Sequence, residues 1–218
     1  MIVTIDGPAG AGKSSAAKAL AQRLGFEVLD TGAMYRSVAL AALRAQIDID
    51  DEGKLQHLLA SIHLELPFGT VLMNGEDVTR EIRTASVTTA TGPVADSPPV
   101  RRQLVEWQRQ LAHGKDIICE GRDQGTIVFP DAPCKFFLKA DPVERARRRQ
   151  QEMAARGETV DLDALLQAQD ERDRRDAARD LAPMVAAPDA QVLDSTNLRL
   201  EQMVDIMERE VHRCLSRQ

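Results

Sequence analysis

The sequence predicts an α/β fold of three layers, a five-stranded parallel sheet with helices on both faces. Two observations carry this. Short apolar runs bounded by turn residues alternate with stretches of helical spacing, the rhythm of βαβ units. Between the first run and the first helix stands "GPAGAGKS", Gly7 to Ser14, at the strand-to-helix turn where such sheets collect ligands.

The elements follow in order. "MIVTID" is a buried strand ended by Gly7, and Lys13 to Leu24 is an alanine-rich helix stopped by Gly25 as a C-cap. "FEVLD" is the second strand, and a helix of about 33–45 follows "DTG". From Ser37 to Gly114 the rhythm lapses for far longer than a loop requires. Helices are expected over 51–61 and 98–113, the latter opened by Pro98–Pro99. Between them "IHLELPFGTVLMNGEDVT" alternates apolar with polar residues and carries Phe68–Gly69 and Asn74–Gly75 turn signals, which predicts a small antiparallel insert at about 62–78. "DIICEG", "CKFFLKA" and "AQVLDST" complete five strands.

With 43% hydrophobic residues but only 3% aromatic, the core must be built from Leu, Val, Ile, Ala and Met. The length of 218 residues suits a single domain, 1–218, with appendages. A net charge of -6 disfavours a nucleic-acid polymer as partner but leaves open a small anion held by local arginines. Three scattered cysteines without a CxxC spacing indicate neither a disulfide framework nor a cysteine-rich zinc site, and Cys119 and Cys134 are expected to pack as small hydrophobes. The start lacks a signal core, and no stretch reaches the ~18 apolar residues of a membrane helix. The expectation is a cytoplasmic protein without a membrane partner, and the charge balance fits a monomer.

"GPAGAGKS" satisfies G-x-x-x-x-G-K-[ST] with a strand before and a helix after. Gly7, Pro8, Ala9, Gly10, Ala11 and Gly12 form a loop whose backbone N–H groups can wrap a polyphosphate without obstructing Cβ atoms. Lys13 can neutralise the β- and γ-phosphates, Ser14 can ligate Mg²⁺, and Ser15 offers a second hydroxyl. ATP is therefore the expected donor. Neither an N-K-x-D base-reading motif nor an L-S-G-G-Q stretch occurs. A small chain with an inserted lobe instead favours γ-phosphoryl transfer to a second small substrate.

Two segments offer an acceptor side. In "DTGAMYR", Arg36 could fork onto a phosphate and Thr31 could bond a polar edge, while Tyr35 reads as helix-start packing. In "EGRDQGT", Arg122 can hold a phosphate, Asp123 can accept from an exocyclic amine, and Glu120 suits contact with Mg²⁺ or its waters. A purely structural ion pair is the competing reading of these charges. In "VERARRRQQEMAARGE", Arg145, Arg148 and Arg149 share a helix face, as a phosphate clamp or as a solvated basic surface. The run "DERDRRDAARD" belongs to a helix from near Asp161 with Leu162, Leu165 and Leu166 as its core stripe. Arg172, Asp176 and Arg179 share one face, and Arg174 and Arg175 point to solvent. RNA binding through these helices is the bland electrostatic alternative, and the interspersed aspartates oppose it.

Taken together, "TIDGPAGAGKS", "LDTGAMYR", "NGEDVTREIRT", "EGRDQGTIVFPDAP" and "ERDRRDAARDLAP" resemble, in order and over nearly the whole chain, the bacterial type of cytidylate kinase. The resemblance implies a P-loop nucleoside monophosphate kinase fold with a monophosphate-binding lobe, about 37–114, and a short lid, about 145–163. It implies that Thr31, Arg36, Arg101, Arg122 and Asp123 contact the acceptor CMP or dCMP, Arg36 and Arg122 at the phosphate and Arg101 and Asp123 nearer the base. It also implies ribose and phosphate contacts for Arg172, Asp176 and Arg179, and a phosphate clamp from Arg148 and Arg149. Where the family often has a base-reading serine this chain has Gly92, and Glu120 stands where aspartate is frequent. A kinase for another monophosphate such as UMP, or a regulatory nucleotide-binding module, stays open on the residues alone.

Overall fold

The computed structural model describes residues 1–67, 69–155 and 157–216. Its strands are β1 (Ile2–Asp6), β2 (Glu27–Asp30), β3 (Leu64–Glu65), β4 (Leu72–Met73), β5 (Glu76–Asp77), β6 (Ile117–Glu120), β7 (Cys134–Lys139) and β8 (Gln191–Asp194). The α-helices are α1 (Lys13–Leu24), α2 (Thr31–Arg44), α3 (Glu52–Ser61), α4 (Ala85–Asp96), α5 (Pro98–Ala112), α6 (Pro142–Ala154), α7 (Leu162–Ala177) and α8 (Leu200–Leu215). The chain divides into two compact units, one of Met1–Val28 with Gly114–Gln218 and one of Leu29–His113. Among the described residues no helix is long and apolar enough to cross a membrane.

The sheet runs in the order β2-β6-β1-β7-β8. β1 lies parallel to both β6 and β7, and β7 to β8. All four residues of β6 are buried, as a strand covered on both faces requires. Val3, Ile5, Ile118, Phe136 and Leu138 of the strands pack with Ala16, Ala17 and Leu20 of α1 and Met203, Met207 and Val211 of α8. Small alanines on α1 and long methionines on α8 fill this layer where aromatics are scarce. Gly25 closes α1 in the left-handed region.

In the second unit α2 packs against α3, α4, α5 and a 3-10 turn at Glu81–Arg83. The expected insert is a three-stranded antiparallel sheet, β3-β4-β5. Arg44 grips Glu76 through two bonds of 2.7 Å and Glu81 through a third of 2.5 Å, which joins β5 and the 3-10 turn to the end of α2. Phe68, of the expected Phe68–Gly69 turn, and Arg156, within 145–163, lie outside the described residues.

Several boundaries differ from the sequence reading. Helix α2 starts at Thr31 rather than about 33, because the Asp30 carboxylate accepts from Ala33 N and caps the helix earlier. Helix α4 was not expected, since its threonines and Gly92–Pro93 are poor helix formers. Thr88, Thr89 and Thr91 return their hydroxyls to carbonyls four residues back, while Val87, Val94 and Ala95 are buried. Leu162, Leu165 and Leu166 are only half-buried, so the expected core stripe of α7 is carried instead by Gln169 and Asp176. The helix stops at Ala177, and Arg179 lies beyond it.

Candidate active site

The cradle between β1 and α1 is shaped by two close approaches. A Cβ on Gly7, whose φ is 137°, would come within 2.1 Å of the Leu138 carbonyl oxygen. One on Gly10, φ 77°, would meet the backbone and Cβ of Arg145 at 3.0 Å. Only glycine satisfies both the space and the backbone angle. Lys13 is buried and donates from Nζ to Pro8 O at 2.7 Å. Burial, then the nearby Arg122, hold its pKa well below that of an ordinary lysine. Ser14 Oγ donates to Glu120 Oε2 at 2.7 Å, and Glu120 is itself buried at the end of β6.

Beyond β6 the chain turns through a π-helical segment, Gln124–Val128, set by Asp6. The two Asp6 oxygens accept from Gln124 N at 2.9 Å and Gly125 N at 2.7 Å. Burial raises the Asp6 pKa to about 6 in spite of these bonds. Asp123, at the head of the turn, is also buried.

Arg122 joins this edge to α7. Its Nε donates to Asp176 Oδ2 at 3.1 Å, and Arg179 donates to the other oxygen at 2.6 Å. Arg172 stands 3.9 Å from the same carboxylate. Asp176 is buried, whereas Arg174 and Arg175 are exposed, so α7 presents one carboxylate surrounded by three guanidinium groups.

Arg145, Arg148 and Arg149, three of the four arginines of α6, part company. Arg145 is buried and donates to Ala9 O, Ala140 O and Asp173, so it is no open clamp. Arg148 bonds the Ser195 and Thr196 carbonyls and Glu144. Arg149 pairs with Glu152 at the surface and retains the most freedom to reach a ligand.

In the second unit, Thr31 is buried in the first turn of α2. Arg36 lies 3.4 Å from Asp30, and Arg83 lies 3.8 Å from the same carboxylate. Arg101 is buried, donates to Ala95 O at 3.2 Å, and sits 5.8 Å above the Tyr35 ring centre. Gly92, half-buried in α4, offers no side-chain hydroxyl.

Sequence reasoning passed over Asp6, Arg83 and Ser195. Ser195 is wholly buried and donates to Ala11 O at 2.9 Å while also meeting Arg148. Arg83 stood within a recognised motif, but its pairing is not written in spacing. Asp6, one residue before the glycine loop, was the most accessible signal of the three.

Among the described residues no group of three or more His, Cys, Asp or Glu could hold a metal alone. A hydroxyl beside a carboxylate does fit a hard cation that takes its remaining oxygens from phosphates and water. A parallel sheet whose first strand feeds a Gly-Lys-Ser cradle, flanked by a carboxylate and converging arginines, defines a P-loop kinase. The cytidylate kinase family model matches residues 3–213, and the chain belongs to that family. A cytidylate kinase of Geobacter sp. (strain M21) is 48% identical over 222 residues, covering 99% of this chain and 94% of the relative. One of Klebsiella pneumoniae (strain 342) is 47% identical over 210 residues, covering 94% and 92%. An uncharacterised protein from Eubacterium ventriosum shares the fold, with a TM-score of 0.55 at 14% identity over 97% of this chain and 98% of its own.

Proposed function

We propose that the protein transfers the γ-phosphoryl of ATP to the α-phosphate of CMP and dCMP, giving ADP with CDP or dCDP. The supporting observation is the place of Arg122. It lies near enough to Lys13 to disfavour that lysine's proton, and it bonds Asp176 on α7. One guanidinium thus stands between a donor cradle and an acceptor helix, where a transferring phosphoryl needs compensation.

The acceptor phosphate is already ionised near neutral pH, so no strong general base is needed. Gly7 to Gly12 bind the donor phosphates through backbone N–H groups, and Ser15 adds a hydroxyl at the head of α1. Lys13 and Arg122 offset charge on the moving group. Arg172, Asp176 and Arg179 hold acceptor ribose and phosphate, Asp123 the base amine, and Thr31, Arg36 and Arg101 serve the acceptor as the family resemblance implies. Ser14 and Glu120 would hold Mg²⁺, which when bound supplies charge neutralisation at the β- and γ-phosphates. We assign 37–114 as the monophosphate lobe with its insert at 62–78, and 145–163 as a lid in which Arg148 and Arg149 turn to the phosphates as water is excluded. The enzyme is read as a cytoplasmic monomer acting on free mononucleotides, not on polymer or membrane. Its three free cysteines fit a reducing compartment.

Coupled ADP production with ATP and each of CMP, dCMP, UMP and AMP tests this. CMP and dCMP should stimulate strongly, and failure of both overturns the assignment. Dominance of UMP would replace the acceptor while keeping the reaction.

A further inference from the structure

Arg145 has an unusual set of partners for a residue of a basic lid helix. Its side chain is 5% exposed, and Nη1 reaches both the Ala9 carbonyl oxygen of the cradle, at 3.1 Å, and Asp173 Oδ2 of α7, at 2.5 Å. Nε holds Ala140 O, and Gln169 of α7 bonds the Arg145 carbonyl. The other Asp173 oxygen is buried and accepts no hydrogen bond among the described residues, so this carboxylate is committed to the one arginine.

Geometry gives the contact a consequence. The Ala9–Gly10 peptide is trans, so its C=O and N–H point in opposite directions. Holding Ala9 O toward Arg145 therefore aims Gly10 N–H away from it, the orientation that phosphate binding by the loop needs. Asp173 lies three residues from Asp176 and beside Arg172, on the α7 segment read above as the acceptor contact. An acceptor that fixes α7 fixes Asp173, hence Arg145, hence the peptide plane of the cradle.

We propose that Arg145 and Asp173 are positioning residues that couple the acceptor helix to the phosphate cradle, so that bound CMP tightens the hold on ATP. The proposal rests on the function assigned above. Coupling is reciprocal and measurable as the ratio of dissociation constants for a non-hydrolysable ATP analogue without and with saturating CMP. Wild-type enzyme should show a ratio of about 5 or more, within the usual range for coupled sites. Asp173→Asn, which keeps the shape and removes the charge, should bring the ratio to within about twofold of one. Arg145→Gln should match it, and the double variant should be no worse than either alone, because the two act as a unit. A wild-type ratio near one, or an Asp173→Asn ratio equal to wild type, overturns the proposal. So does an Asp173→Asn that loses affinity for both ligands alike with the ratio preserved. If Asp173→Asn does not fold, Arg145→Gln, which breaks the same pair from the other side, carries the test. The functional assignment fails separately, if wild-type enzyme does not phosphorylate CMP.

Discussion

Asp176 is the residue whose loss should be felt twice. Its carboxylate is 5% exposed and faces Arg179 at 2.6 Å and Arg122 at 3.1 Å, with Arg172 at 3.9 Å. Asp176→Ala removes the carboxylate on which three like charges converge. Removing one partner of a fully buried pair costs about 3–5 kcal/mol. Arg122 and Arg172 retain 20% and 40% of their exposure, so water recovers part of this, and roughly 2–4 kcal/mol is the fitting figure. At about 2–4 °C per kcal/mol for a chain of this size, Tm should fall by about 4–16 °C. The same change releases Arg122 and Arg179 from their set positions, and the Michaelis constant for CMP should rise about 10- to 100-fold. The constant for ATP should change little. Arg174→Ala, one of the exposed arginines of the run, should stay within about 0.5 kcal/mol of wild type and leave both constants unchanged. Thermal scans and coupled ADP assays read both quantities. An Asp176→Ala enzyme with wild-type Tm and CMP constant would refute the reasoning, and so would an Arg174→Ala enzyme equally damaged.

Lys13→Met should abolish ADP production yet raise Tm, because burial and Arg122 disfavour the lysine's charge in the folded state. A depressed folded pKa means the unfolded chain holds this proton more tightly, so the cost is fully present below the folded pKa and fades as pH rises. A Tm below wild type at pH 7 would refute it. The Asp6 carboxyl, followed by carbon-13 NMR, should titrate near 6; a midpoint near 4 would remove burial as its governing influence. With its folded pKa above the unfolded 3.8, Asp6 contributes stability at low pH that declines as pH rises from 3.8 to about 6. Gly7→Ala should yield a protein that no longer binds ATP by calorimetry, since its Cβ would overlap the Leu138 carbonyl. Wild-type affinity would show that β1 and β7 can separate freely at that point.

The sheet and the cradle were legible because their signals are local. A buried strand, a glycine loop and an alanine-rich helix each declare themselves within a dozen residues, and α1 falls on the expected bounds. Helix α4 was hidden because its stability comes from packing against α2, which overrides the propensity of threonine and proline. The charged run was read correctly where helical phase governs, with Arg174 and Arg175 outward and Asp176 inward. Asp173 is different, because its partner Arg145 lies 28 positions away and could be paired only in space. The division of labour among Arg145, Arg148 and Arg149 was likewise beyond a sequence pattern. Their spacing places them on one face, and what each meets there depends on Ala9, Ser195 and Glu152 in turn.

The bond from Lys13 to Pro8 O bears on which molecules the cradle will accept. One lysine N–H is given to a carbonyl and the others remain for an incoming oxygen. Burial disfavours the ammonium, however, so an oxygen that offers only a hydrogen bond does little to offset that cost. It must offer charge as well. Adenosine cannot, AMP carries its charge in one place, and a triphosphate presents it along the whole loop. On the function proposed above, the lysine would work as a threshold, and the loop would sort its visitors by how much negative charge they bring before any base is recognised.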